Sequence, residues 1–275
     1  VNTPMVDTQV LMRAMQYAAT FGFRVWLQPI DPYLAKSGVA HDGEVASRMG
    51  LAGIPVEAET IALETYLSLA RLTGVKLHIT RISSAAALAC IERARAAGLD
   101  VTCDVAVHHL HLCDNDIGYF DPQCYVMPPL RSQRDRAALR AGLAAGRINA
   151  VCSDHTPVDD DGKLMPFAEA EPGMTGLELL LPLTLKWAQE EKLPLAQALA
   201  RVAAASADIM GITKGGHLGV GARADVCVFD PGAWRKVTRE SLRSQGKNTP
   251  FLNMELPGQV HYTLVEGRVM YNAAS

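Results

Sequence analysis

Four times along this chain a helical pattern of apolar residues closes on a glycine, and a short apolar run begins within two residues of it. Asp7 to Phe21 sets Val10, Leu11, Ala14, Met15 and Ala18 on one helical stripe, Gly22 stops it, and Phe23 to Leu27 reads as a strand. Pro55 to Thr73 ends at Gly74 before a strand from Lys76 to Ile82, and Ala85 to Ala97 ends at Gly98 before Asp100 to Val107. Gln133 to Ala145 ends at Gly146 before Ile148 to Cys152. Strands separated by helices of this length cannot fold back as hairpins, so they run parallel with the helices against the sheet.

A closed parallel β/α barrel takes eight strands and typically about 250 residues. This chain offers four strands of that kind, and its last third has another texture. Gly173 to Met210 reads as two helices, and from Gly215 short β-like runs (Asp225 to Phe229, Val260 to Val265, Arg268 to Tyr271) alternate with glycine and proline turns. The expectation is an α/β chain holding about half a barrel plus a β appendage. A strand of the buried type left at an open sheet edge invites association, so the barrel half is expected to be the C-terminal part of a longer protein.

Composition narrows the function classes. Half the residues are apolar (49%), enough for a sizeable core, and 26 cationic against 29 acidic side chains give a net charge of -3. That balance steers the chain to neither nucleic acid nor an anionic membrane surface. The six cysteines carry no CxxC pair, as expected of a reduced, cytoplasmic protein, and no apolar run reaches the ~18 residues of a membrane span.

The chemistry-bearing stretch is Val151-Cys-Ser-Asp-His-Thr-Pro157. Asp154 stands where the last of the parallel strands hands over to a loop, which in a β/α barrel is the end where reactive groups gather. It could equally be an Asx-turn residue capping that loop. His108, His109 and His111 suggest a metal cluster, but neighbouring strand residues face opposite sides, so a structural role is expected of them. His78 reads as a satisfied core residue and Trp26 as core. Glu57, Glu59 and Glu64 read as a solvated helix face. Gly215 to Gly221 lacks the lysine and the strand-to-helix setting of a phosphate loop.

Six motifs carry a resemblance. Gly43-Glu-Val-Ala-Ser-Arg-Met-Gly-Leu-Ala-Gly-Ile-Pro-Val-Glu-Ala-Glu59, Pro128-Pro-Leu-Arg131, Asp154-His155, Gly176-Leu-Glu178 with Leu181-Pro-Leu183, Gly221-Ala-Arg-Ala-Asp225 and Gly246-Lys-Asn-Thr-Pro-Phe251 follow one another as in class I dihydroorotases of the amidohydrolase superfamily. The resemblance implies a TIM barrel of amidohydrolase type, with residues 1–214 supplying strands five to eight and residues 215–275 a small β-sandwich appendage. It also implies a zinc site at the strand ends, with a His-x-His pair, a bridging lysine or aspartate, two further histidines and an aspartate, serving the reversible ring closure of carbamoyl aspartate.

Carried over residue by residue, that site is degenerate. The His-x-His pair has no counterpart, and the bridging position falls at about Asn2 or before the first residue. Gln28 stands at the fifth-strand histidine and Arg81 at the sixth-strand histidine, which leaves Asp154 as the relic of the set. Gln is a poor zinc ligand, and a guanidinium about 4 Å from a dication is repelled by about 4 kcal/mol per unit charge at an effective dielectric near 20. Arg81 is expected to pair with Asp154 instead. Met127 replaces the asparagine that precedes Pro-Pro-Leu-Arg, and Val158 replaces a loop histidine.

The resemblance therefore implies a non-catalytic dihydroorotase-like subunit with no cofactor. It would belong to a homo-oligomer within a larger complex and support the assembly or activity of aspartate transcarbamoylase in pyrimidine synthesis. The alternative is an active zinc amidohydrolase completed by a preceding segment. A third reading is a metal-free binder of a dihydroorotate-like anion at Arg81. Exposed aromatics around Trp234 and Tyr119-Phe120 are candidate interface residues.

Overall fold

The computed structural model describes residues 7–212 and 215–274. The boundary expected at residue 214 and the bridging position expected at about Asn2 lie outside them. In chain order the elements are α1 (Thr8–Thr20), β1 (Arg24–Leu27), β2 (Ala40–His41), α2 (Glu44–Met49), β3 (Gly53–Ile54), α3 (Glu57–Thr73), β4 (Lys76–Ile79), α4 (Ala85–Ala96) and β5 (Val101–Ala106). There follow α5 (Gln133–Ala144), β6 (Ala150–Cys152), α6 (Asp160–Leu164), α7 (Leu180–Glu190), α8 (Leu195–Ala200), α9 (Ala204–Met210), β7 (Val226–Lys236), β8 (Glu255–Val265) and β9 (Arg268–Asn272).

Strands β1, β4, β5 and β6 pair in that order, all parallel. The glycines that close the preceding helices (Gly22, Gly74, Gly98 and Gly146) all sit at positive φ, between 69° and 85°. A side chain disfavours that conformation, so the glycines end the helices and turn the chain toward its next strand. One face of the sheet carries Leu77, Ile79, Cys103, Val105 and Val151, all buried against the helices in a single core with Met15, Leu63, Leu67, Leu88, Ile91 and Leu143. The other face is polar: in register across it lie Trp26, His78 and Thr102.

That second face corrects the expectation for Trp26. Its ring packs at a tilt against His78 with centroids 4.2 Å apart, yet it is 45% exposed. β1 is the sheet edge, and Trp26 alternates onto the face away from the helices. Gly173 to Met210 forms three α-helices rather than two: Lys192 at φ 56° ends α7, with Leu193 N–H bonded back to the Ala188 carbonyl, Pro194 starts α8, and the chain breaks again before α9.

The appendage is an antiparallel sheet, β7-β8-β9. It is joined to the barrel half through α7, which packs on β8. Gly258 makes that approach possible. It has φ 94°, and a Cβ there would lie 2.4 Å from Leu185 Cδ1. No helix among the described residues is long and apolar enough to cross a membrane.

Candidate functional site: an ion pair at the strand ends

Gln28, Arg81 and Asp154 each follow the last residue or two of a parallel strand, so the common strand direction delivers them to the same end of the sheet. Arg81 and Asp154 both adopt left-handed backbone, with φ 55° and 43°. Conformations of that kind cost of order 1–3 kcal/mol each and persist when the surroundings hold them. Asp104 holds the first: its Oδ1 accepts the Arg81 backbone N–H at 2.7 Å. Its Oδ2 bonds His78 Nε2 at 2.9 Å, and His78 Nδ1 bonds Thr102 Oγ1 at 2.8 Å.

So aimed, the Arg81 guanidinium donates through Nη1 to Asp154 Oδ1 at 2.6 Å and through Nη2 to Gln28 Oε1. The Asp154 side chain is 9% exposed and that of Arg81 24%. The three side chains line a cavity of about 150 Å³ together with Met127, Thr156 and Gly173. Met127 gives that wall an apolar side chain. Val158 is not in the wall: it is buried, and its N–H donates to Asn248 Oδ1 at 2.9 Å. Asn248 also donates to the Thr156 carbonyl and accepts from Thr175 Oγ1, tying down the chain that leaves Asp154.

His108 and His109 lie in a buried 3-10 turn after β5 rather than at a strand end, and His111 follows it. His108 Nε2 lies 3.9 Å from Asp154 Oδ2, and burial, reinforced by Arg81, drives its pKa down to about 3. Burial likewise drives His109 down to about 3 and His111 to about 4. His109 Nε2 meets the Pro129 carbonyl and His111 Nε2 the Leu183 carbonyl. Burial also pushes the Cys152 thiol well up, with Asp104 and Asp154 adding to it.

Zinc requires several lone pairs converging on one point. Here Asp154 Oδ1 and the Gln28 amide oxygen already accept from Arg81, which offers only N–H donors. The described residues contain no group of three His, Cys, Asp or Glu placed to hold a metal ion. These residues do not fit a zinc centre.

Several contributors escaped the sequence reading. Glu59 is not on a solvated face: it is 2% exposed and accepts from Ser83 N at 2.6 Å and Ser83 Oγ at 3.1 Å. Arg131, 3% exposed, donates to the same hydroxyl and to the Ile54 carbonyl. The first turn of α3 abuts the turn after Arg81, so the carboxylate points inward where a regular helical stripe suggested water. Asp104 did leave a signal, as a charge inside an otherwise buried strand. Lys163 left none. It is buried, with its ammonium on the carbonyls of Pro122 and Tyr125, and burial lowers its pKa to about 8.

Comparison with known proteins gives the family and the fold. Residues 35–271 match the amidohydrolase family. A dihydroorotase-like protein of Pseudomonas aeruginosa is 43% identical over 265 residues, covering 96% of this chain and 62% of that protein. A dihydroorotase of Geobacter sp. (strain M21) is 38% identical over 270 residues, covering 98% and 63%. Among solved structures, L-hydantoinase from Arthrobacter aurescens superposes with a TM-score of 0.86 at 26% identity, covering 97% of this chain and 61% of that one. D-hydantoinase from Thermus sp. reaches 0.87 at 20% identity over 98% and 61%, a likeness of fold. The chain thus spans a little over three fifths of the length of the proteins it matches. With parallel strands, helices on one face, reactive positions at the strand ends and a family match over most of its length, the chain belongs to the amidohydrolase family.

Proposed function

We propose that this chain is part of a dihydroorotase-like protein that has exchanged its metal centre for an internal cation and performs no hydrolysis. Its role is that of a non-catalytic subunit supporting the assembly or activity of aspartate transcarbamoylase in de novo pyrimidine synthesis. One observation carries the non-catalytic reading: the Arg81 guanidinium rests on Asp154 at 2.6 Å, on the carboxylate that a metal would need. A cation that cannot lose its proton there is incompatible with an adjacent dication. The partner comes from the resemblance. A non-catalytic member of this family acts through its surfaces rather than its cavity.

The competing reading is an active zinc dihydroorotase completed by a preceding segment. It draws on the retained Asp154 and on relatives named dihydroorotase. It requires Arg81 to leave Asp154. The anion-binding reading fares less well, because Arg81 already spends its charge on Asp154. The deciding experiment measures zinc per chain and carbamoyl aspartate cyclisation on the intact protein grown with zinc, then tests for a complex with purified aspartate transcarbamoylase. Near-zero zinc, no turnover and a stable complex are expected. Stoichiometric zinc with turnover overturns the non-catalytic reading, and absence of a complex overturns the partner.

A further inference from the structure

Two surface segments beside the cavity differ from the rest of the chain in both charge and exposure. Residues 112–130 contain three carboxylates and no cation, and residues 156–171 contain five carboxylates and one lysine, a formal -7 against -3 for the whole chain. The single lysine, Lys163, is turned inward onto Pro122 O at 2.9 Å and Tyr125 O at 3.2 Å, so it braces one segment against the other and gives the surface no positive charge. Asp114 is buried. Asp160 is answered by Arg239, and Asp116 lies 3.9 Å from Arg136. Asp121, Asp159 and Asp161 form no ion pair among the described residues.

Set among these carboxylates are large apolar side chains facing water. Tyr119 is 95% exposed, Leu164 81%, Met165 45% and Phe120 39%. Tyr119 and Phe120 pack edge to face with centroids 5.8 Å apart. Phe120 has φ 58°, which a bulky residue adopts only under constraint, and here the constraint presents the aromatic pair outward. An exposed aromatic pair costs solubility unless something covers it.

We infer that these two braced segments form a docking surface for a protein whose own surface is basic and carries an apolar pocket, with Tyr119 as the anchor that enters the pocket. Charge complementarity selects the partner: the carboxylate field repels an acidic surface and repels a second copy of this patch, while it speeds encounter with a basic one. A central aromatic in a desolvated pocket supplies most of the affinity in such interfaces, and the charged rim supplies rate and selectivity. The inference deepens the subunit reading above and rests on it for the identity of the partner.

The test uses the intact protein and purified aspartate transcarbamoylase, with affinity and association rate measured at two salt concentrations. Tyr119→Ala is expected to weaken binding about 30-fold, and Asp159→Asn with Asp161→Asn to slow association about 3-fold or more at low salt. Leu72→Ala, exposed near the end of α3 and away from both segments, is the control and is expected to change nothing. Because Tyr119 is almost fully exposed, its loss leaves the fold intact, which circular dichroism checks. If the complex forms and Tyr119→Ala binds like the parent, this surface is refuted and the subunit reading stands. If no complex forms with the parent protein, both fall together.

Discussion

Replacing Arg81 by Met removes the guanidinium and keeps an unbranched side chain of similar reach. Asp154, with a side chain 9% exposed, would then face the cavity as a carboxylate without its cation. Removing one member of a fully buried ion pair costs about 3–5 kcal/mol. The Arg81 side chain is 24% exposed, so water reaches the vacated side, and the Gln28 amide can turn a donor toward Asp154. The expected loss for Arg81→Met is therefore about 2–3 kcal/mol. Adding Asp154→Leu removes the stranded charge, and the double variant should return to within about 1 kcal/mol of the parent, since well-packed apolar replacements of buried pairs are often neutral. Urea unfolding of the intact protein near neutral pH, for all four members of the cycle, gives the coupling energy, expected at about 2 kcal/mol. If the two single effects add to within about 0.5 kcal/mol, the side chains do not act as a pair, and the case for an internal cation in place of a metal fails with them.

Three further outcomes follow from the same structure. The pKa values of His109 and His111, near 3 and 4 when folded, lie below the ordinary 6.5. Below pH 6.5 the unfolded chain binds protons that the folded chain refuses, so stability falls as the pH drops toward 4, by about 1.4 kcal/mol per pH unit for each histidine; an unfolding midpoint flat between pH 6 and 4.5 contradicts this. For Lys163, lowered from 10.5 to about 8, the unfolded chain keeps its proton through the window from pH 8 to 10.5 while the folded chain has released it. Stability contributed by this group therefore rises across that window, and Lys163→Met should abolish the rise. Gly258→Ala should cost about 2–3 kcal/mol, because its Cβ would lie 2.4 Å from Leu185 Cδ1 at a φ of 94° that alanine avoids; a loss below about 0.5 kcal/mol would mean the antiparallel sheet is not held against α7 there.

Much of the barrel half was legible because its signals are local. A helix stripe, a closing glycine and a short apolar strand each depend on a dozen neighbouring residues, and the observed elements begin and end within three residues of those limits. Asp154 could be placed for the same reason, since it stands at the end of such a strand, while Gln28 and Arg81 were placed by the resemblance. What remained hidden depends on partners far away in the chain. The pairing of Arg81 with Asp154, 73 positions away, follows from the resemblance, whereas its bond to Gln28, 53 positions away, depends on the register of the parallel strands.

Glu59 shows the limit of periodicity. By spacing it belonged with Glu57 and Glu64 on a wet face, and it is the turn at Ser83, packed against the start of α3, that draws it inside. Trp26 errs the other way, apolar in composition and yet exposed, because β1 lies at the sheet edge and Trp26 faces away from the helices. Lys163 reads as one more surface lysine until the two segments it joins are brought together. The sequence by itself determined which elements form and which end of the sheet bears the reactive positions, since both follow from short-range backbone preference and the single direction of parallel strands. Only the tertiary structure decided which charges meet and which are left facing water, because that depends on strand register and on the close approach of segments remote in the chain.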